Sequence, residues 1–170
     1  MGSEMCIRDS YKIVGVPGIR LAGMRGDVYE SYMRGDGKID LFNPKFYDNE
    51  RHQGELLEKE IRRHINRGTD VDQIVVLSFR SATDSVASQL TGKDIPFKRL
   101  GHPSRGVGYG SIHEFKGLES NVVILTDVKQ PTNDYERDLF YVGMTRALFS
   151  ISVLVAQSDQ SWFLTAVSEA

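Results

Sequence analysis

Ile74-Val75-Val76-Leu77-Ser78-Phe79 is a nearly unbroken apolar run of strand length, and its reading decides the fold. A strand with one wet face alternates apolar and polar residues; a continuous run suits a strand covered on both faces, as in a parallel sheet. The same signature returns at Val122-Val-Ile-Leu-Thr126 and at Ile151–Val155. Between these runs the spacing turns helical. Thr83 is placed to cap a helix through Leu90, which Gly92 ends, and Tyr135–Leu148 keeps Leu139, Val142 and Met144 on a buried side. Phe97–Leu100 reads as a short strand, Gly101–Gly110 as a glycine-rich connection, and Ser161–Val167 as a closing helix. Short buried strands alternating with helices predict an α/β fold: a parallel sheet with helices on both faces.

Upstream, Leu56, Leu57, Glu60, Ile61, His64 and Ile65 follow helical spacing between Asn49 and Arg67, with Gly68 as the stop. Residues 24 to 48 read as irregular with one hairpin, and Ile13–Val16 as a strand closed by Pro17-Gly18. Residues 1–10 have no apolar period and read as a non-native or disordered leader. The expected organisation is therefore a leader (1–10), a lead-in segment with a helix (11–70) and an α/β core (71–170).

Composition narrows the function classes. With 170 residues, 40% hydrophobic and 26% charged, the chain is of ordinary globular type and large enough for a real core. A net charge of -2 gives no global attraction to nucleic acid, so any such contact must be local. Cys6 is the single cysteine, which excludes an internal disulfide framework and a multi-cysteine zinc site; no metal ligands are expected in this chain. No apolar run is long enough to span a membrane and no signal-type leader is present, so a cytoplasmic location is expected.

In an open parallel sheet, ligands lie beyond the carboxyl ends of the strands. Three features are expected there. Arg80 directly follows the first buried run; Ser111-Ile-His-Glu-Phe-Lys-Gly-Leu-Glu119 precedes the second; Arg146 is placed on the helix before the third. Lys116 offers a cation and Gly117 close backbone approach, while Ser111 and His113 offer donors to a phosphate or a nucleic-acid strand. Each has a bland counterpart: a solvated loop arginine, an ordinary capped turn, an arginine on a wet helix face. Composition alone does not choose.

The joint pattern does. Ser111 to Glu119, an apolar strand, then Glu136-Arg-Asp-Leu-Phe-Tyr-Val-Gly-Met-Thr-Arg-Ala147 resembles motifs V and VI of the UvrD/Rep-like superfamily 1 helicases, and Ile74-Val-Val-Leu-Ser-Phe-Arg-Ser81 is similar to their motif IV. The resemblance spans roughly Ile74–Val155. It implies the second, C-terminal RecA-like domain of an ATP-dependent DNA helicase. By it, Arg80 and Arg146 would stabilise charge on the γ-phosphate of ATP, and Gly117 and Glu119 would lie next to the nucleotide. Ser111 and His113 would touch single-stranded DNA, with Tyr141 and Thr145 positioning the Arg146 helix. Ser111 stands where the family usually has threonine, which keeps the hydroxyl.

What is missing matters as much. A P-loop requires glycine, four residues, then Gly-Lys-Ser/Thr. Gly37-Lys38 and Gly92-Lys93 are followed by Ile39 and Asp94, and Asp127, followed by valine, reads as an ordinary strand end. The fold expected is thus of the P-loop NTPase type without its own P-loop. The ATP would be shared with an absent N-terminal ATPase domain that also binds Mg²⁺, and this chain alone is expected to be inactive. An interaction module that has lost its catalytic partner is the alternative; a nucleotide-independent DNA-binding domain is a third, weakened by the lack of a basic patch.

Overall fold

The computed structural model describes residues 42–92 and 94–168. The leader, the strand expected at Ile13–Val16 and residues 24–41 lie outside the described residues. Six strands form one all-parallel sheet: β1 (Phe42–Tyr47), β2 (Ile74–Ser78), β3 (Phe97–Arg99), β4 (Val107–Ser111), β5 (Ser120–Val128) and β6 (Ala147–Ala156), in the spatial order β1-β6-β5-β2-β4-β3. The helices are α1 (Glu50–Asn66), α2 (Val86–Leu90), α3 (Asp134–Met144) and α4 (Gln160–Ser168). The expected fold class is the one observed.

The continuous apolar runs do what their pattern requires. Val75 and Leu77 of β2, Val123 and Leu125 of β5, and Ile151, Val153 and Val155 of β6 point into one core, closed by Phe140 and Met144 of α3 and Phe163 of α4. Ile74 and Val76, Val122 and Ile124, and Leu154 point the other way, onto Leu57 and Ile61 of α1 and Val86, Ala87 and Leu90 of α2. Successive strand residues face opposite sides, so an unbroken run feeds two cores. The central strands are buried for that reason.

Three elements depart from expectation. Val107–Ser111 is a strand, inserted between β2 and β3, where a connection was expected. Phe42–Tyr47 is an edge strand paired with β6, where irregular structure with a hairpin was expected. With β1 in the sheet and α1 on its face, residues 42–70 share one core with the rest of the sheet. Helix α2 begins later than expected because Ser85, not Thr83, is its cap, accepting from the Ser88 N–H.

Helix termini are firmly specified. Asn49 accepts from the His52 N–H at the start of α1, and Gly68, at φ 91, follows its end. Asn133 accepts from the Glu136 N–H at 2.9 Å, and Glu136 in turn accepts from the Thr132 N–H at 2.7 Å. Those two bonds pin the start of α3 to the loop leaving β5. Among the described residues no helix is long and apolar enough to cross a membrane.

Candidate functional site

Parallel strands give the sheet two chemically different edges. Strand β2 ends at Ser78, paired with Ser111 of β4 and Thr126 of β5, so this line marks the carboxyl edge. Ser120 of β5 pairs with Ala147 of β6 and marks the amino edge. Six residue steps along β5 separate Ser120 from Thr126, about 20 Å at the rise of a strand. The predicted site residues divide between the two.

Arg80 lies just beyond the carboxyl edge, as expected. Its backbone N–H donates to Ser78 Oγ (2.9 Å), and Ser78 Oγ–H donates to Asp127 Oδ2 (2.6 Å). The guanidinium Nε is 3.6 Å from Asp127 Oδ1, while Nη1 donates to Glu50 Oε1 at 2.6 Å. This pairing holds the Glu50 carboxyl below its ordinary range.

Asp127 is the centre of this edge and not the ordinary strand end the sequence suggested. It is buried and adopts φ 58, at the point where the β5–β6 register shifts. A left-handed backbone at a non-glycine residue costs energy and persists only when its surroundings over-determine it. Here they do. Thr126 Oγ1 donates to Asp127 Oδ2 at 3.2 Å, and the Gln53 amide donates to Oδ1 (3.2 Å) and accepts from the Asp127 N–H (2.6 Å). Nearby Tyr47 has its hydroxyl pKa pushed up to about 12, by burial first and by the Asp127 charge second, so it stays a neutral phenol. No run of residue types announced Asp127, because its partners come from α1 and β2.

Ser111 and His113 share this edge. Glu114 Oε2 accepts from the Ser111 N–H (2.7 Å) and the Ser111 hydroxyl (3.0 Å), and Glu114 also pairs with Arg99 at 2.8 Å. The His113 ring stacks on Tyr135 at 5.8 Å and 19°, its Nε2 bonded to the Tyr135 hydroxyl at 2.7 Å. Tyr135 is 61% exposed. With Phe79, Lys129, Pro131 and Leu139 these rings line an open cleft of about 200 Å³. Aromatic faces beside a cation are what a sequence-tolerant grip on unstacked bases uses.

The chain then crosses the sheet face. Ile112 and Phe115 bury into the core below α3, and Gly117, at φ 83, turns the chain towards β5. That φ favours glycine and explains its place before Leu118-Glu119. Gly117 follows the turn closed by the Lys116 N–H on His113 O, between the two edges, while Glu119 immediately precedes the first residue of β5 and so lies at the amino edge.

Arg146 is there too, and this corrects two expectations. Helix α3 ends at Met144 with Thr145 as its cap, so Arg146 occupies the turn before β6 and not the helix itself. It also sits at the amino edge, where its carbonyl accepts from the Ser120 N–H at 3.0 Å. Its Nε donates to Val142 O at 3.2 Å, which ties the side chain back to the last turn of α3. Thr145 Oγ1 donates to the same carbonyl at 3.2 Å. The expectation that all three features crowd the carboxyl edge is therefore not met. Glu119 and Arg146 stand at one end of the sheet and Arg80, Ser111 and His113 at the other, with Gly117 in the turn between them. About 20 Å of strand therefore lies between the levels at which the two arginines leave the sheet.

Similarity to known proteins centres on the middle of this site. Residues 109–149, from β4 through the start of β6, match the family described as UvrD-like helicase C-terminal domain. No curated protein matches the chain. Among solved structures, the C-terminal domain of a possible DNA helicase from Lactobacillus plantarum WCFS1 is similar in fold, with a TM-score of 0.62 at 17% identity over 91% of this chain and 86% of that one.

Proposed function

We propose that this chain, whose residues 109–149 match the UvrD-like helicase C-terminal domain, is the second RecA-like domain of an ATP-dependent DNA helicase. It works as half of a two-domain engine. Its amino edge meets ATP held by a separate ATPase domain, which supplies the P-loop and the Mg²⁺ ligands. Gly117 gives the nucleotide close backbone approach, Glu119 offers an acceptor for the ribose, and Arg146 neutralises charge developing on the γ-phosphate. The carboxyl edge holds single-stranded DNA, with Ser111 and His113 as contacts and Tyr135 beside them.

One observation carries this reading. The segment Ser111–Glu119 leaves the carboxyl edge beside the aromatic cleft and arrives at the amino edge beside Arg146. A single turn thus joins the two ligand faces, and α3, starting beside Tyr135 and ending two residues before Arg146, joins them a second time. A change in ATP state at one edge has a short mechanical route to the other. Arg80, assigned to ATP by resemblance, fits the strand face better because it stands with Ser111 and His113.

The test joins this chain to an ATPase domain carrying a P-loop and replaces Arg146 with alanine. DNA-stimulated ATP hydrolysis should fall at least about 100-fold, short of the 10³–10⁵ an arginine finger contributes elsewhere. Hydrolysis at the parental rate would remove Arg146 from the mechanism. Loss of the catalytic partner, leaving an interaction module, is disfavoured by the presence of Arg146 and Glu119 together at one edge, with Gly117 in the turn leading to them.

A further inference from the structure

The carboxyl edge surrounds Arg80 with two partners, Asp127 and Glu50, that lie outside every motif. Arg80 is held between two carboxylates of opposite character. Asp127 is buried, fixed by Ser78, Thr126 and Gln53, and faces the guanidinium Nε at 3.6 Å. Glu50 is 56% exposed by its side chain and takes the outer arm, Nη1, at 2.6 Å. One partner belongs to the framework. The other lies in the first turn of α1, on the solvent side, and Arg80 itself keeps 46% of its side chain exposed.

An inner carboxylate orients the arginine, and an outer one fills the position an incoming anion would take. Arginine's planar fork donates to carboxylate and phosphate oxygens with the same geometry. The exposed Glu50 pair is the weak member, because ion pairs in water contribute little and are screened by salt. Asp127 cannot leave without exposing its buried partners and its left-handed backbone. We propose that Arg80 is a phosphate seat and that Glu50 is its removable occupant, paired with Nη1 in the free chain and displaced when a phosphate group of the ligand arrives. The inference rests on the reading of the carboxyl edge as the strand face. Asp127 acts as the positioning residue: it keeps the guanidinium at the sheet edge whether Glu50 is on or off.

The consequence is a built-in brake on affinity. A strand must compete with Glu50 for Arg80, so weak or partial ligands fail to open the seat. Phosphate could come from a nucleic-acid backbone or from a nucleotide, and the measurement separates them. Binding of a labelled single-stranded oligothymidylate to the full 170-residue chain is followed by anisotropy for the parent, Glu50→Gln, Arg80→Gln and the double variant, with thermal melts to confirm folding. A labelled ATP analogue is titrated in parallel.

Glu50→Gln should tighten oligonucleotide binding about three- to tenfold at low salt, the scale of an exposed ion pair plus one relieved repulsion. Arg80→Gln should weaken it and flatten the salt dependence by roughly one unit of slope. In the double variant the gain from Glu50→Gln should vanish. Unchanged or weaker binding by a folded Glu50→Gln, with Arg80→Gln still defective, overturns the role of Glu50 and leaves the strand face standing. If neither variant alters oligonucleotide binding, or no binding is seen, both the inference and the strand reading of this edge fall. Tightening confined to the ATP analogue would assign the seat to a nucleotide and refute the strand as its ligand.

Discussion

Two buried carboxylates, Asp127 and Glu60, show why a single residue can matter more than its motif. Glu60 lies on α1 with a side chain only 1% exposed, facing the sheet. Burial opposes its charge, but hydrogen bonds from His64, Arg63 and Ser152 outweigh that penalty and hold the carboxyl far below its usual range. Ser152 Oγ reaches it at 2.6 Å and Lys45 of β1 at 3.5 Å, so one carboxylate ties α1 to both β6 and the edge strand. That depression fixes the sign of the pH effect. With the folded value lowered, stability is fully present above the unfolded value of about 4.3 and is lost as pH falls towards the folded value. The chain should therefore lose stability steadily below about pH 5. Glu60→Gln should cost roughly 1–3 kcal/mol at pH 7 and flatten that acid slope. Urea melts across roughly pH 3–7 check it; parallel slopes for parent and variant would clear Glu60 of this role. For Asp127 the backbone adds a second term. Asp127→Ala leaves Ser78 and Gln53 without their acceptor and keeps the left-handed φ, at a cost of about 2–4 kcal/mol, whereas Asp127→Asn tolerates that φ and retains an acceptor, at about half that cost. Equal losses for the two variants would mean that the carboxylate charge, which both remove, and not the backbone, is decisive.

At the scale of elements, helix α3 packs on the sheet with little room to spare. Gly143 faces the sheet, and a Cβ there would meet Leu125 Cδ2 at 3.0 Å and Ile112 Cδ1 at 3.1 Å. An alanine asks those side chains to give by a few tenths of an ångström; a valine asks for more than the core holds. Gly143→Val should therefore cost about 2–3 kcal/mol, from overpacking against fully buried neighbours and β-branching in a helix. A thermal midpoint within error of the parent would show that α3 can lift off the sheet. The same packing explains which elements were legible in sequence. Strands β2, β5 and β6 announce themselves because both of their faces are apolar. Strand β4 does not, because Val107-Gly-Tyr-Gly-Ser111 places glycines where Leu100 and Val75 close over the backbone, so its burial leaves no side-chain pattern. Strand β1 is hidden differently: Pro44 and Lys45 are tolerable on an edge strand, and its partner among the described residues, β6, comes from the far end of the described chain. Arg146 and Gly117 were legible as site residues from their motif spacing. Where they stand relative to the two edges was not, since that depends on where α3 ends, and nothing in the residue types at Thr145 and Arg146 marks the stop that the structure shows at Met144.

Across the whole molecule, the separation of the edges makes the strongest prediction. If ATP is met at the amino edge and the strand at the carboxyl edge, lesions at the two ends should affect different quantities. Sites farther apart than about 10 Å with no shared partner usually contribute additively, and about 20 Å of β5 lies between these. In the enzyme completed by its ATPase domain, Arg80→Gln should raise the oligonucleotide Kd severalfold while leaving kcat at saturating DNA within about twofold. Arg146→Ala should do the reverse, lowering kcat about 100-fold or more with oligonucleotide affinity in the absence of nucleotide near the parental value. Changes in the linking segment should behave otherwise. Gly117→Ala places a Cβ at φ 83 in the turn joining the two faces. It should lower basal ATP hydrolysis as well as its stimulation by DNA, because Gly117 stands both in the connection and beside the nucleotide, and it should leave strand affinity near the parental value. An Arg80 variant that lost kcat at saturating DNA as severely as the Arg146 variant would place both arginines on one phosphate, and the two-edge arrangement would have to yield.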